Sequence, residues 1–181
     1  MFALTSRLTL RPGWPEDAPE LTRAIGHESV VTKLSRVPWP YRDEHAREFL
    51  HRPRGAAEPL FMITERGGDR LVGGIGLHAD NGDHELGYWL TPDAWGRGYA
   101  TEAGRAVVAI ARETLRLPRL RSSYLVGNQA SGRVLTKLGF GPTGRMIRMP
   151  SRALEREVDA VEMALDLDEA RTGPRSMPLA A

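Results

Sequence analysis

Apolar and polar residues recur along this chain with two periods, which predict where strands and helices lie. Short runs that alternate or stay apolar predict strands at 7–11, 60–65, 71–77, 85–90, 120–126, 143–149 and 157–165. Apolar residues spaced three and four apart predict helices at 15–25, 43–52, 99–115 and 128–138. The interleaved order predicts a single mixed α/β domain.

The segment from Glu85 to Ala103 predicts a strand, a glycine-rich turn and a helix in close succession. The strand ends at Pro92, and the turn that contains Gly96 and Gly98 leads into the helix. The first N–H groups of a helix have no partner within it, and the helix dipole favours anions there. Diphosphate fits such a turn, although a tight strand-to-helix connection explains the same glycines. The turn lacks the Gly-Lys-Ser or Gly-Lys-Thr of a nucleotide loop and the third glycine of a dinucleotide site.

Composition narrows the classes of function that remain. The chain has 181 residues, 41% hydrophobic and 27% charged, which fits one globular domain. Its net charge is only +2 and its basic residues are interleaved with acidic ones, which argues against a nucleic-acid partner. The absence of cysteine excludes a thiol nucleophile and disulfides. The five histidines show no metal-ligand spacing, so we expect no metal.

The two ends of the chain contribute expectations about location and order. No signal peptide is evident and no apolar run is long enough to span a bilayer, so we expect a cytoplasmic protein without a membrane partner. Residues 1–166 are predicted to form the domain. Residues 167–181 are rich in Pro, Gly, Ser and Ala, and we expect a poorly ordered tail.

Three segments together resemble the GNAT N-acetyltransferases, within the RimJ/RimL-like branch that acetylates ribosomal-protein N-termini. They are residues 7–12, residues 85–90 with 95–103, and residues 128–131 with 135–140. The resemblance runs from residue 5 to about 165. It implies a GNAT-like single domain whose twisted, mostly antiparallel sheet is splayed at its centre and flanked by about four helices. It also implies acetyl-CoA as co-substrate.

The resemblance assigns cofactor contacts to the turn and to the start of the last helix. The implied cofactor-binding residues are Leu90, Trp95, Gly96, Arg97, Gly98, Tyr99, Ala100, Thr101 and Asn128. In the turn these contacts are made by backbone amides. Asn128 is also a good N-cap, so its side chain has a structural alternative, and both roles can coexist.

Acetyl transfer to an amine needs a base that removes a proton and a group that stabilises the departing thiolate. The resemblance implies Glu85 as base, ahead of the neighbouring His84. Many relatives place a tyrosine acid seven residues after the asparagine, where this chain has Leu135. The branch instead implies the hydroxyl of Ser131. An exposed glutamate and an ordinary helical serine remain the alternatives.

The acceptor is expected to lie beside Trp39 and Tyr41, unless these aromatics only anchor a proline-rich loop. The predicted function is transfer of acetyl from acetyl-CoA to a primary amine, either a protein N-terminus or a small molecule. The attack is direct, in a ternary complex, by a monomer or homodimer. The alternative is a non-catalytic acetyl-CoA sensor.

Overall fold

A computed structural model of the chain describes residues 1–80 and 82–168. The strands are β1 Ala3–Leu4, β2 Leu8–Arg11, β3 Leu60–Glu65, β4 Leu71–Asp80, β5 Asp83–Leu90, β6 Arg119–Leu125, β7 Gly141–Ser151 and β8 Arg156–Asp166. The α-helices are α1 Ala18–Ile25, α2 Glu28–Val31, α3 Asp43–His51, α4 Tyr99–Ala109 and α5 Gln129–Lys137. The elements β1 and α2 are absent from the sequence prediction; both are too short to show a period.

All eight strands form one sheet in the order β1-β2-β3-β4-β5-β6-β8-β7. Every neighbouring pair is antiparallel except β5 and β6, which are parallel. Their pairing consists of His84 with Leu120 and Glu85 with Arg121, after which the strands separate. The predicted mixed α/β fold, with a mostly antiparallel sheet splayed at its centre, is therefore confirmed.

Each face of the sheet carries its own apolar core, because successive side chains of a strand point to opposite faces. On one face α4 and α5 pack around Val107, Leu135 and Leu86. On the other face α1, α2 and α3 pack around Leu21 and Met62. Strand β5 therefore contributes side chains to both cores.

Helices α4 and α5 begin at residues that fix their direction relative to the gap. Helix α4 starts after Gly98 and passes into a π-helical turn, Ile110–Thr114. Helix α5 is capped by the Oδ1 of Asn128, which accepts the N–H of Ser131 at 3.4 Å. Both N-termini face the side of the sheet where β5 and β6 separate.

Leu167 is the first residue after the predicted domain boundary at residue 166. Leu167 is fully buried in the core that contains α4, and its N–H donates to the carbonyl of Pro118 at 2.8 Å. The rest of the predicted tail, from residue 169 onwards, lies outside the described residues. No helix in the described part of the chain is long and apolar enough to cross a bilayer.

Candidate active site

The separation of β5 from β6 opens a cavity of about 1220 Å³ that reaches both faces of the sheet. Most of the predicted site residues line it, including Glu85, Ser131, Asn128 and the turn before α4. A second, more open cavity of about 710 Å³ lies behind Asn128, between α2 and the β7–β8 hairpin. The larger cavity is the one that brings the predicted residues together.

Strand β5 exposes an unpaired backbone edge to this cavity. Thr91 N–H donates to Val72 in β4, so the alternate backbone groups at residues 86, 88 and 90 face the gap. The carbonyl of Leu86 accepts the hydroxyl of Ser122 at 2.8 Å, and that of Leu90 accepts the indole N–H of Trp95 at 2.9 Å. The N–H and C=O of Tyr88 and the N–H of Leu90 therefore remain directed into the gap.

The turn before α4 has the backbone conformation that only glycine adopts readily. Gly96 and Gly98 have φ of 74° and 80°, in the left-handed region. The first helical hydrogen bond runs from Glu102 N–H to Gly98 C=O at 3.0 Å. The N–H groups of Tyr99, Ala100 and Thr101 precede it and have no acceptor within the helix. The turn therefore presents three successive N–H groups without a helical acceptor, and anion binding there stays a prediction.

Arg7 holds this turn from behind. Its Nη1 donates to the carbonyl of Arg97 at 3.0 Å, and its guanidinium lies 4.8 Å from the centre of the Tyr99 ring. In a planar trans peptide the C=O and the following N–H point in opposite directions. Binding of the Arg97 carbonyl to Arg7 therefore aims the N–H of Gly98 away from Arg7.

Glu102 fixes Arg7 in turn. Its carboxylate accepts the Nε of Arg7 at 2.7 Å, the backbone N–H of Arg7 at 2.8 Å and the hydroxyl of Thr5 at 2.6 Å. Burial by itself raises the pKa of Glu102, but these donors outweigh it and lower the pKa to about 2. The carboxylate therefore stays ionised and keeps Arg7 in place.

The side chain of Arg97 belongs to a second support rather than to the cavity. Its Nη1 lies 2.7 Å from Glu65 Oε1, which also accepts the Tyr99 hydroxyl at 2.6 Å. Strand β3 therefore anchors the turn from the side. Arg97 is not among the residues that line the cavity, and the cofactor contact that the resemblance implies for it is a backbone contact.

Glu85 lies on the face of the sheet that carries α1, α2 and α3, and is half-buried between His78 and Arg36. His78 is its cross-strand partner, with Nε2 2.8 Å from Oε2, and Arg36 Nη2 is 3.6 Å away. Burial raises the pKa of Glu85, but the hydrogen bond and charge of His78, then Arg36 and Ser123, hold it below its ordinary value. The carboxylate is therefore ionised at neutral pH and can accept a proton.

Ser131 lies across the gap from Glu85, near the α4–α5 face. Its hydroxyl is 2.8 Å from the hydroxyl of Tyr88, which also donates to the Ser131 carbonyl at 3.1 Å. Burial raises the pKa of Tyr88 to about 12, against a smaller opposite effect of Ser131. The phenol keeps its proton, so the pair forms a hydrogen-bonding unit. Both Glu85 and Ser131 line the cavity, but no hydrogen bond or ion pair joins them among the described residues.

The two predicted acceptor residues have different positions. Tyr41 lines the cavity and packs against His45, with ring centres 5.5 Å apart. Trp39 is 40% exposed and is not among the lining residues. The structure thus brings Tyr41, but not Trp39, to the predicted site.

Two residues at the site were not singled out from the sequence. His78 was discoverable, because a tight hairpin that pairs residue 80 with residue 83 also pairs residue 78 with residue 85. Tyr88 gave no such signal, since its contact with Ser131 depends on how α5 packs against β5. His84 pairs with Ala79 and, one position from Glu85, points to the other face.

Comparison with known proteins places the chain in a family. The family described as the acetyltransferase (GNAT) domain matches residues 7–141. The uncharacterized N-acetyltransferase p20 of Bacillus licheniformis is 29% identical over 170 residues, covering 89% of this chain and 93% of the relative. The uncharacterized N-acetyltransferase YoaA of Bacillus subtilis is 36% identical over 85 residues, 45% of this chain and 48% of YoaA. The latter match thus spans about half the length of YoaA.

Solved structures share the fold. A GNAT-family acetyltransferase from Bacillus anthracis aligns with a TM-score of 0.80 at 24% identity, covering 93% of this chain and 99% of its own. Spermidine N-acetyltransferase from Vibrio cholerae, solved with CoA and spermine, gives 0.74 at 18%, covering 92% and 99%. Ribosomal-protein-S5-alanine acetyltransferase from Vibrio fischeri gives 0.77 at 14%, covering 93% and 98%.

The sequence identities to these solved structures, 14% to 24%, establish a common fold but do not identify the acceptor of this chain. The family match, in contrast, covers most of the sequence and includes the strand, turn and helix that form the gap. The chain belongs to the GNAT acetyltransferase family.

Proposed function

We propose that this protein transfers an acetyl group from acetyl-CoA to a primary amine, by direct attack in a ternary complex. The observation that carries the proposal is the unpaired edge of β5, which leads directly into the glycine turn before α4. That continuous run of backbone donors and acceptors suits an amide-containing arm that ends in a diphosphate.

The fit to acetyl-CoA follows from the donors that the chain leaves unused. The N–H groups from Gly96 to Thr101 would bind the diphosphate, with Gly98 N–H aimed by the Arg7 contact. Tyr88 and the N–H of Leu90 would hold the arm along β5, and Asn128 lines the same cavity from α5. When bound, acetyl-CoA supplies the activated acetyl group.

Glu85 is proposed to take the proton from the acceptor amine. Its lowered pKa makes it a weak base, which suits removal of a proton through water after the amine begins its attack. His78 holds the carboxylate in one orientation and is a positioning residue.

The Tyr88–Ser131 pair is proposed to stabilise the departing thiolate. Leu135, at the position of the usual tyrosine, is fully buried and has no proton to donate. The hydroxyls of Tyr88 and Ser131 supply an alternative donor on the same side of the gap, with the proton retained by the phenol.

The decisive experiment is release of free CoA from acetyl-CoA in the presence of an amine panel that includes short peptides, small amines and polyamines. We expect amine-dependent release and an acetylated product by mass spectrometry. Tight acetyl-CoA binding without turnover on any amine would favour the non-catalytic sensor instead. Measuring acetyl-CoA binding and turnover on the same preparation distinguishes an acetyltransferase from a sensor.

A further inference from the structure

The half of the cavity on the α1–α3 side, here called the acceptor half, is lined by more cationic than anionic groups. Its charged residues, apart from histidines, are Lys33, Arg36, Arg52, Arg54, Arg152, Glu48, Glu58 and Glu85, with Lys33 lying over the Trp95 ring at the edge of this half. Tyr41 and Phe49 form an apolar wall beside them. The excess of arginine is a property of this half of the cavity that the acetyl-transfer step does not require.

Two of the three glutamates of the acceptor half already have hydrogen-bond or ion-pair partners within the protein. Glu58 accepts the N–H groups of Gly55 and Ala79, each at 2.8 Å, so both of its oxygens are used within the backbone. Glu85 is matched by His78 and Arg36. Among the described residues, this leaves Glu48 as the one acid of the acceptor half without a hydrogen bond or ion pair.

Most arginines of the acceptor half have no carboxylate partner among the described residues. No carboxylate of the described residues lies within 4.0 Å of Arg52 or Arg152. Arg54 donates to the carbonyls of Phe49 and Arg52. Burial, followed by repulsion from Arg52, lowers the pKa of Arg54, as expected where positive charge is in excess.

Arg36 is the arginine next to the reacting centre. Its Nη2 is 3.6 Å from the Glu85 carboxylate, while its side chain is 56% exposed and keeps further N–H donors free. The β7–β8 hairpin holds the loop that carries it, because Arg152 N–H donates to Ser35 at 2.9 Å. An amine that faces Glu85 therefore places its near substituents beside Arg36.

We propose that the acceptor carries an anionic group within a few bonds of its amine, and that Arg36 binds this group. This inference rests on the proposed acetyl transfer and names the class of acceptor. A carboxylate pairs with a guanidinium through two parallel hydrogen bonds, which would also orient the amine towards Glu85. A polyamine, which brings several positive charges, is disfavoured by the same arginines.

The test uses acceptors that differ only in charge. One pair consists of C-terminally amidated peptides that begin with Asp or with Asn, and the other of a free amino acid and its amide. A preference within the peptide pair would identify an acidic peptide as the acceptor, and a preference within the other pair would identify a small amino acid. Spermidine serves as the polycationic comparison. Rates are compared at equal concentrations of the neutral amine form.

We expect about a tenfold higher kcat/KM for the anionic member of at least one pair, mainly through KM. Arg36→Gln should reduce that ratio to near one, and Arg36→Lys should restore part of it. Arg23→Gln, a change at an exposed arginine of α1 outside the cavity, is the matched control and should keep the ratio.

Equal kcat/KM within both pairs, a preference for spermidine, or an unchanged ratio in Arg36→Gln would overturn the inference while leaving acetyl transfer intact. If no amine is acetylated, the proposed function itself fails. Calorimetric titration of the same pairs into the CoA complex then decides the inference, because equal binding of anionic and neutral members contradicts it and preferential anionic binding supports it.

Discussion

Glu85 shows how one residue can be kept charged in a cavity that partly excludes water. The hydrogen bond with His78 and the nearby guanidinium of Arg36 offset the effect of burial on its pKa. A cross-strand histidine and a loop arginine thus have a shared role, since neither alone surrounds the carboxylate. The consequence is a base that is ionised throughout the neutral range.

Glu85→Gln should lower kcat at neutral pH by roughly 10²-fold, with a smaller change in acetyl-CoA affinity. Because the pKa of Glu85 is lowered, its ionisation is lost only as pH falls below the ordinary glutamate range. The wild-type rate should therefore fall at acidic pH in a step that the variant lacks. A variant whose pH–rate profile matches the wild type would remove Glu85 as the base.

Ser131→Ala and Tyr88→Phe test the hydroxyl pair. Each change should slow acetyl transfer more than it weakens acetyl-CoA binding, because the pair is proposed to act on the departing thiolate. The double variant should be little slower than the slower single variant, since the two hydroxyls share one hydrogen bond. Strictly additive losses in kcat would show that the residues act independently, and unchanged turnover would leave Ser131 structural.

At the scale of elements, the sequence predicts those that have a clear period or a marked boundary. Strand β5, the turn at Gly96 and Gly98, and α4 were all evident from proline, glycine and apolar spacing. The short α2 and β1 were not, because four and two residues carry no period. The position of Trp39 outside the cavity depends on the path of the loop between α2 and α3, which no local pattern encodes.

The supports of the turn were equally hidden from the sequence. Arg7, Glu65 and Glu102 come from three separate elements, and their contacts exist only once the sheet and α4 have packed. The motif around Gly96 and Gly98 predicted what the turn can bind. The surrounding residues determine how firmly its shape is held.

Glu102→Gln should weaken acetyl-CoA affinity about tenfold, or ~1.4 kcal/mol, by releasing Arg7 from the carbonyl of Arg97. Fluorescence or calorimetric titration would measure it. Glu113→Gln, a change at an exposed residue of the π-helical turn that follows α4, is the control. Unchanged affinity in Glu102→Gln would show that the turn keeps its shape without this support.

Glu102 also gives the fold a defined dependence on pH. Its pKa is lowered from 4.5 to about 2, so the unfolded chain binds the proton more readily than the folded one. The stabilisation is fully present above pH 4.5 and is lost as pH falls towards 2. Glu102→Gln should flatten the decline of unfolding free energy over that window. An identical acid limb in urea titrations of both proteins would contradict the assignment.

At the scale of the whole molecule, binding of acetyl-CoA should raise the free energy of unfolding and therefore Tm. Acetyl-CoA at about 100 times its Kd would add ~2.7 kcal/mol, which raises Tm by roughly 5–10 °C for a chain of this length. Gly98→Trp should abolish most of this shift, because a left-handed φ and the bulk of the indole both oppose the turn. A full shift in Gly98→Trp would contradict the turn as the anion site.

The two sets of strands, β1–β5 and β6–β8, are joined across the sheet by only two residue pairs. An extended molecule that binds between them would occupy the position of an additional strand and would hydrogen-bond to the free backbone edge of β5. The backbone amides of Tyr88 and Leu90 would then exchange with deuterium more slowly, whereas those of β3 would change little. Slower exchange at these two amides would therefore report that the gap between β5 and β6 is occupied.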